Sequence, residues 1–179
     1  LDFSDSPDSD EKWAIYGWGD QLQFSKRTSS WGWASTPLAV DASGHVTMPY
    51  QPAFYAYNLN FPYQTAGAAV GGAVMTNIGS GYNGTTGRFT APVTGTYVIH
   101  VMTQYYSDGS SNYQTAAIYK NGISIGAESW HGHSGSDGNY HAQANTCVIV
   151  TLNANDYVQA YTNYGSRDIQ NLFCGYLIG

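Results

Sequence analysis

Charge is what this sequence has least of. Asp, Glu, Lys and Arg make up 10% of its 179 residues, where ordinary soluble domains carry about a quarter. Only six residues are basic, they are scattered, and the formal net charge is −6; no electrostatic footprint for a nucleic acid exists. Helical patterning is also missing. No window of a dozen residues sustains a 3.6-residue apolar period with caps. No apolar run reaches membrane-spanning length, and the uncharged stretch from Asn58 to Gly87 is broken by Gly, Pro and Asn, so no membrane insertion is expected. Two cysteines, Cys147 and Cys174, cannot make a disulfide framework. Both lie in apolar strand patterns, where buried free thiols are the plain expectation and a single bridge the alternative. No basic-plus-apolar leader is visible, and the first residue is Leu1 rather than Met, as in a processed product or a piece of a longer chain.

What the sequence has instead is 42% apolar residues, 21 glycines and 16 tyrosines. That apolar content excludes a disordered chain. Solubility must then come from Ser, Thr, Asn, Gln and Tyr, a surface chemistry that also suits contact surfaces. Short runs of Val, Ile, Thr, Tyr and Phe alternate with Gly, Asn and Asp turns, which predicts an all-β fold.

Residues 1–46 have their own character and are expected to form a short β-rich neck. An acidic opening, Asp2 to Glu11, precedes four of the five tryptophans, Trp13, Trp18, Trp31 and Trp33. Strands are expected at Trp13–Trp18, Gln21–Lys26 and Thr28–Ala34, with a turn at Asp41-Ala42-Ser43-Gly44. Fewer than fifty residues cannot bury four tryptophans alone, so this segment should pack on the main domain or share a core between chains.

Residues 47–179 read as eight or more strands: Ala53–Asn58, Val74–Ile78, Gly87–Ala91, Thr96–Tyr105, Thr115–Lys120, Ile123–Ser129, Ala144–Leu152, Asp156–Thr162 and Leu172–Ile178. Asn121-Gly122 is a strong hairpin turn. Strands of this number and spacing predict a two-sheet antiparallel sandwich or jelly roll. The closing strand is apolar on both faces, with Cys174, Tyr176 and Ile178 opposite Phe173, Gly175 and Leu177. A sandwich has one core face per sheet. The second apolar face predicts an oligomer, with Tyr176 and Ile178 at its interface.

Several pieces occur in an order that resembles the C1q/TNF-like jelly roll. Pro52-Ala53-Phe54 resembles its first-strand motif. Thr86-Gly87-Arg88-Phe89-Thr90-Ala91-Pro92-Val93-Thr94-Gly95-Thr96-Tyr97 resembles its central "tGxFtaPvxGxYxF", with Ile99 where an aromatic is usual. Ile118-Tyr119-Lys120-Asn121-Gly122 resembles "lyKNG". Leu152-Asn153-Ala154-Asn155-Asp156-Tyr157-Val158 resembles "LxaGDxV", with Asn155 in place of the Gly. Phe173-Cys174-Gly175-Tyr176-Leu177 resembles the closing "FsGyL". The resemblance implies a homotrimeric recognition module with no catalytic activity. No Gly-X-Y stem is present. Leu38 to Pro52 instead resembles the join into the C1q-like tip of phage tail and head fibres, which implies a parallel homotrimer on a virion appendage, binding a host cell-surface receptor or glycan. A secreted C1q-like module, a structural trimerisation domain and a carbohydrate-active enzyme are the alternatives. A collagen or coiled-coil stem upstream would favour the secreted module, and two facing carboxylates in a deep cleft the enzyme.

There is no G-x-S-x-G elbow and no phosphate-cradling Gly loop leading into a helix. Of twelve acids, five (Asp2, Asp5, Asp8, Asp10 and Glu11) lie in the opening stretch, and Asp108, Glu128, Asp137 and Asp156 mostly read as turn residues. No motif requires a cofactor. Two metal possibilities follow from the resemblance to trimers. His131 and His133 alternate as imidazole ligands for a transition metal at the threefold axis, or stand in a solvated loop. Asp108, before Gly109, could help bind Ca²⁺ at the apex, or simply make a turn. Binding is expected in the segments Tyr106–Tyr113, Trp130–His141 and Tyr161–Gln170, with Tyr106, Trp130, His131 and Tyr164 at the contact surface, since Tyr and Trp offer large area at low entropy cost.

Overall fold

Gly19 and Asp20, both at positive φ (53° and 60°), close the first hairpin. The computed structural model describes residues 2–3, 12–61, 66–107, 113–132, 140–162 and 170–179. Among them every regular element is a strand, and the chain divides into two compact units, Leu1–Gln51 and Pro52–Gly179.

The first unit is one antiparallel sheet in chain order: β1 (Asp2–Phe3), β2 (Lys12–Trp18), β3 (Gln21–Arg27), β4 (Trp33–Asp41) and β5 (Val46–Thr47). The strand expected at Thr28–Ala34 is mostly a turn. Thr28 Oγ1 accepts from the Gly32 N–H at 2.9 Å, the Trp31 N–H donates to the Thr28 carbonyl at 2.9 Å, and Trp31 takes φ 65°. Local Thr and Ser hydrogen bonds compete with ladder pairing, and here they win. The strand begins later and runs through Pro37. A register shift between Phe24 and Lys26 on β3 accommodates that proline, as bulges do. The Asp41 turn forms as expected: Asp41 Oδ1 accepts from the Ser43 and His45 N–H groups, both at 2.9 Å.

The second unit is the jelly-roll sandwich. Its strands are β6 (Ala53–Tyr57), β7 (Gly67–Ala68), β8 (Ala73–Ile78), β9 (Tyr82–Asn83), β10 (Arg88–Thr90), β11 (Gly95–Ser107), β12 (Tyr113–Lys120), β13 (Ile123–Gly132), β14 (Tyr140–Leu152), β15 (Tyr157–Thr162) and β16 (Leu172–Leu177). One sheet runs β14-β11-β16-β6-β8. The other runs β13-β12-β15-β10-β9, with β7 also on β15. All pairings are antiparallel, as expected for an all-β jelly roll.

The core lies between these sheets, and the motifs meet in it. Phe54 stacks on Phe89 (centroids 4.4 Å) and on Tyr82 (5.4 Å), and meets Phe173 edge-on (4.7 Å). Tyr97 packs edge-on against Phe89, and its hydroxyl donates to the Val93 carbonyl at 2.8 Å. Such aromatic pairs add about 0.5–1.5 kcal/mol each beyond area burial.

The hairpin turn at Asn121-Gly122 is fastened to the start of β15. Asp156 Oδ1 accepts from Asn121 Nδ2 at 2.8 Å, and its Oδ2 accepts from the Asn153 N–H at 2.9 Å and pairs with Lys120 Nζ at 2.9 Å. Asn121 Oδ1 accepts from the Tyr157 N–H. The hydrogen bond from Asn121 first, then that from Lys120, hold the Asp156 carboxyl down at about 2, against an ordinary 3.8. A depressed carboxylate stabilises the fold fully above its unfolded value and loses that contribution as pH falls toward its folded value. Acid unfolding should therefore steepen between about pH 4 and pH 2. Asp156→Asn should flatten that limb and lower the melting temperature at pH 7, as followed by circular dichroism. An unchanged acid limb would count against the assignment.

Candidate functional site

The ends of the strands sort the second unit into two poles. β11 ends at Ser107, paired with Tyr140 where β14 begins. β12 begins at Tyr113, paired with Gly132 where β13 ends. β15 ends at Thr162, and its Tyr161 pairs with Ala117 of β12. The chain enters this unit at the other pole: the Pro52 carbonyl accepts from the Leu177 N–H at 2.9 Å, and Ala53 pairs with Tyr176. The strand ends Ser107, Tyr113, Gly132, Tyr140 and Thr162 thus all lie toward the pole opposite the entry, an arrangement that antiparallel pairing imposes.

The expected contact residues fall differently around that pole. Tyr106 is in β11, its backbone paired with His141. Trp130 and His131 were expected in a loop; they belong to β13, paired with Thr115 and Gln114. The β-branched and aromatic content on both arms extends the hairpin past Ser129, to Gly132 opposite Tyr113. Asp108, His133 and Tyr164 lie outside the described residues, as does Asp137. Among the described residues no group of three His, Cys, Asp or Glu side chains is arranged to hold a metal ion.

A second surface is the outer face of the sheet β14-β11-β16-β6-β8. Inward residues of β11 (Tyr97, Ile99, Val101) are fully buried, while Val98, His100 and Met102 are only half-buried. Burial on both faces was expected for this strand; within one chain only one face is covered. Across the sheet, Ile149, Val98, Tyr176 and Ala53 form one row, and Cys147, His100, Cys174 and Tyr55 the next. Tyr176 is 53% exposed and Ile149 71%, with Ile178 and Tyr55 also exposed. Apart from His100, these rows carry no ionisable side chain except weakly acidic thiols and phenols. Exposed apolar surface of this continuity is uncommon on monomeric soluble proteins.

The cysteines sit in that face, free, with Cys147 exposed and Cys174 half-buried. The expectation of two buried thiols is corrected for Cys147, whose side chain points out of the sandwich because it alternates with the inward Val148. Cys174 Sγ lies 4.0 Å from His100 Nδ1. Burial, then the neighbouring Cys147, push its thiol pKa up.

A third feature was missed in the sequence. In the first unit, Tyr16, Trp18, Gln23, Arg27, Trp33 and Thr36 line a cleft of about 420 Å³. The tryptophan count drew attention to this segment, but β4 was placed too early for Trp33 and Arg27 to be seen as cross-strand partners.

With this geometry in place, comparison with known proteins gives the family. No curated protein matches the chain. Among solved structures it is similar to the globular domain of zebrafish complement 1qA protein, at 18% identity and a TM-score of 0.55, covering 72% of this chain and 98% of that one; at this identity the likeness speaks for the fold. Residues 53–178 match the C1q domain, and the chain therefore belongs to the C1q domain family.

Proposed function

We propose that this chain is the receptor-recognition tip of a phage fibre: a homotrimer that contacts a host cell-surface glycan or protein through the pole opposite its entry. C1q domains are recognition and structural modules that typically form homotrimers and bind ligands, and the proteins that carry them are commonly extracellular. The observation that carries the reading is the polarity of the second unit. The strand ends Ser107, Tyr113, Gly132, Tyr140 and Thr162 gather toward one pole, and the chain arrives at the other. The continuous apolar sheet face supplies the contact for trimerisation. The join from Leu38 to Pro52 supports placement on a virion, with a secreted C1q-like module as the second reading, favoured by the family's usual location.

Three linked copies raise avidity without new contacts when the target presents several epitopes, so weak contacts in each subunit suffice. Asp108, His131 and His133 are kept as the residues that would hold Ca²⁺ or a transition metal near the threefold axis.

The test uses fluorescently labelled full-length chain on a panel of bacterial cells. Alanine at Tyr106, Trp130, His131 and Tyr164 together should reduce cell binding at least tenfold, as loss of aromatic anchors does, with the trimer unchanged by light scattering. Chelation before binding reports on the metal. Binding that survives all four changes would place recognition elsewhere. Binding to animal but not bacterial surfaces would select the secreted module.

A further inference from the structure

The sheet of the first unit has two chemically different faces. Pairing sets Tyr16 against Gln23, Trp18 against Gln21 and Arg27 against Trp33, and in-register partners share a side. That side is aromatic and polar together. The opposite side carries Ile15, Leu22, Phe24, Leu38 and Val40, with Trp13, Lys26 and Ser35 toward one end. A single-layer sheet must cover its apolar face. Contact with a second copy would fall there, and would leave the mixed face to solvent.

The mixed face holds the 420 Å³ cleft, inside the usual range of about 300–1,000 Å³ for small-ligand sites. Its polar groups are tied in place by a chain of hydrogen bonds. Trp33 Nε1 donates to Thr36 Oγ1 at 3.1 Å. The hydroxyls of Thr36 and the buried Ser25 are 3.1 Å apart. Ser25 Oγ donates to the Tyr16 hydroxyl at 3.3 Å. The Arg27 guanidinium lies over the Tyr16 ring, 4.6 Å from its centroid, and Gln23 Nε2 donates to Gln21 Oε1 at 2.9 Å. Groups fixed in this way lose less freedom when they bind. Yet Trp18 remains 71% exposed and Trp33 60%.

Two large exposed indoles beside a fixed amide and a fixed guanidinium suit one class of ligand. A pyranose ring has an apolar C–H face and a rim of hydroxyls. The face packs on indole, gaining the burial that these rings lack. The rim accepts from Arg27 and exchanges hydrogen bonds with Gln23. A second protein copy would instead desolvate Arg27 and Gln23 with no matching acceptor ensured.

We propose that this cleft is a saccharide-binding subsite, in which a pyranose ring stacks on Trp18 or Trp33 and its hydroxyls are held by Gln23 and Arg27. It is separate from the recognition pole of the second unit and does not depend on it.

The experiment follows the tryptophan indole N–H resonances of the full chain. It is titrated with methyl pyranosides of glucose, galactose, mannose, N-acetylglucosamine and glucuronic acid, and the labelled chain is then run on a glycan array. At least one sugar should shift the Trp18 and Trp33 indoles saturably, and the glucuronoside shows whether Arg27 selects a carboxylate. Trp18→Ala and Gln23→Ala should each weaken binding about tenfold, the loss expected for a central anchor. Both side chains are at least partly exposed, so the melting temperature should hold; Gln23→Ala decides if Trp18→Ala fails to fold. Indoles that no sugar moves, shifts that follow protein concentration instead, or shifts that survive both substitutions would overturn the proposal. A silent cleft together with loss of cell binding in the pole variants would overturn it while leaving the proposed function intact. A responsive cleft with unimpaired pole variants would do the reverse.

Discussion

Tyr176→Asp is expected to leave each subunit folded and to take the trimer apart. Tyr176 is 53% exposed on the outer face of its sheet, between Val98 and Ala53. In an isolated subunit, a substitution at so open a position costs about 0.5 kcal/mol or less. In a trimer that closes over this face, each copy would bury an unpaired carboxylate at a cost of several kcal/mol, and threefold symmetry repeats the cost in every subunit. The two costs differ enough for one measurement to separate them. Light scattering at micromolar concentration should give a trimer for the parent and a monomer for the variant, with matching β-sheet circular dichroism. A parent that is already monomeric, or a variant that remains trimeric, would show that this face is not the contact. Ile178→Asp, 49% exposed on the same side, should act in the same direction.

Gly87→Ala is expected to be the most damaging small substitution in the second unit. Gly87 has φ +65°, and a Cβ there would lie 1.7 Å from the Ala69 carbonyl oxygen and 2.8 Å from its carbon. The left-handed conformation alone costs a non-Gly residue about 1–2 kcal/mol. The overlap is with backbone, so no rotamer relieves it. Relief requires moving the Ala69 stretch, whose N–H donates to the Ala160 carbonyl at 2.9 Å and whose neighbour Ala68 pairs with Tyr161. A total near 3–5 kcal/mol would be in the range reserved for named structural lesions. At about 2–4 °C per kcal/mol for a chain of this size, melting should fall by roughly 6–20 °C. Gly122→Ala is the control: its φ is +82°, but the nearest atom, the Tyr157 hydroxyl oxygen, is 3.5 Å away, so only the conformational cost applies. Equal melting losses for the two variants would refute the overlap.

Gly87 also explains which parts of this protein could be read from its sequence. The pieces that resemble the C1q family are packing and turn devices. Gly87 clears the Ala69 carbonyl. Phe54, Phe89 and Phe173 come from three separate motifs and meet in one aromatic cluster. Asn121 and Asp156 come from two others and hydrogen-bond to each other. Asn155, standing where the family has Gly, takes φ 75°, a conformation Asn tolerates better than most residues. Such devices are local, directional and few, so their order announces the fold. The recognition surfaces are not written in this way. The outer face of β16 was legible as an alternation of apolar residues, but nothing within one chain specifies what meets that face. Trp130 and His131 were misplaced into a loop because Gly132 looks like punctuation until its pairing with Tyr113 is seen. The neck cleft depends on a register shift between β3 and β4, and Thr28 obscured that register by drawing the turn onto itself.

The position of β16 has a consequence for how the protein is made. It comes after every other strand of the sandwich in the chain, yet it lies inside its sheet, between β11 and β6. Tyr176 must find Ala53, and Leu172 must find Tyr57, contacts that span most of the second unit. Pairings so distant in sequence make folding slow. Until the ribosome has passed Leu177, β6 and β8 have no partner joining them to β11 and β14, and both β6 and β11 present open edges. Open edges invite pairing with the wrong chain. The last strand of the sandwich to be synthesised is thus the one that joins the two halves of its sheet, so a chain cut short before Leu172 could not complete the outer face of that sheet.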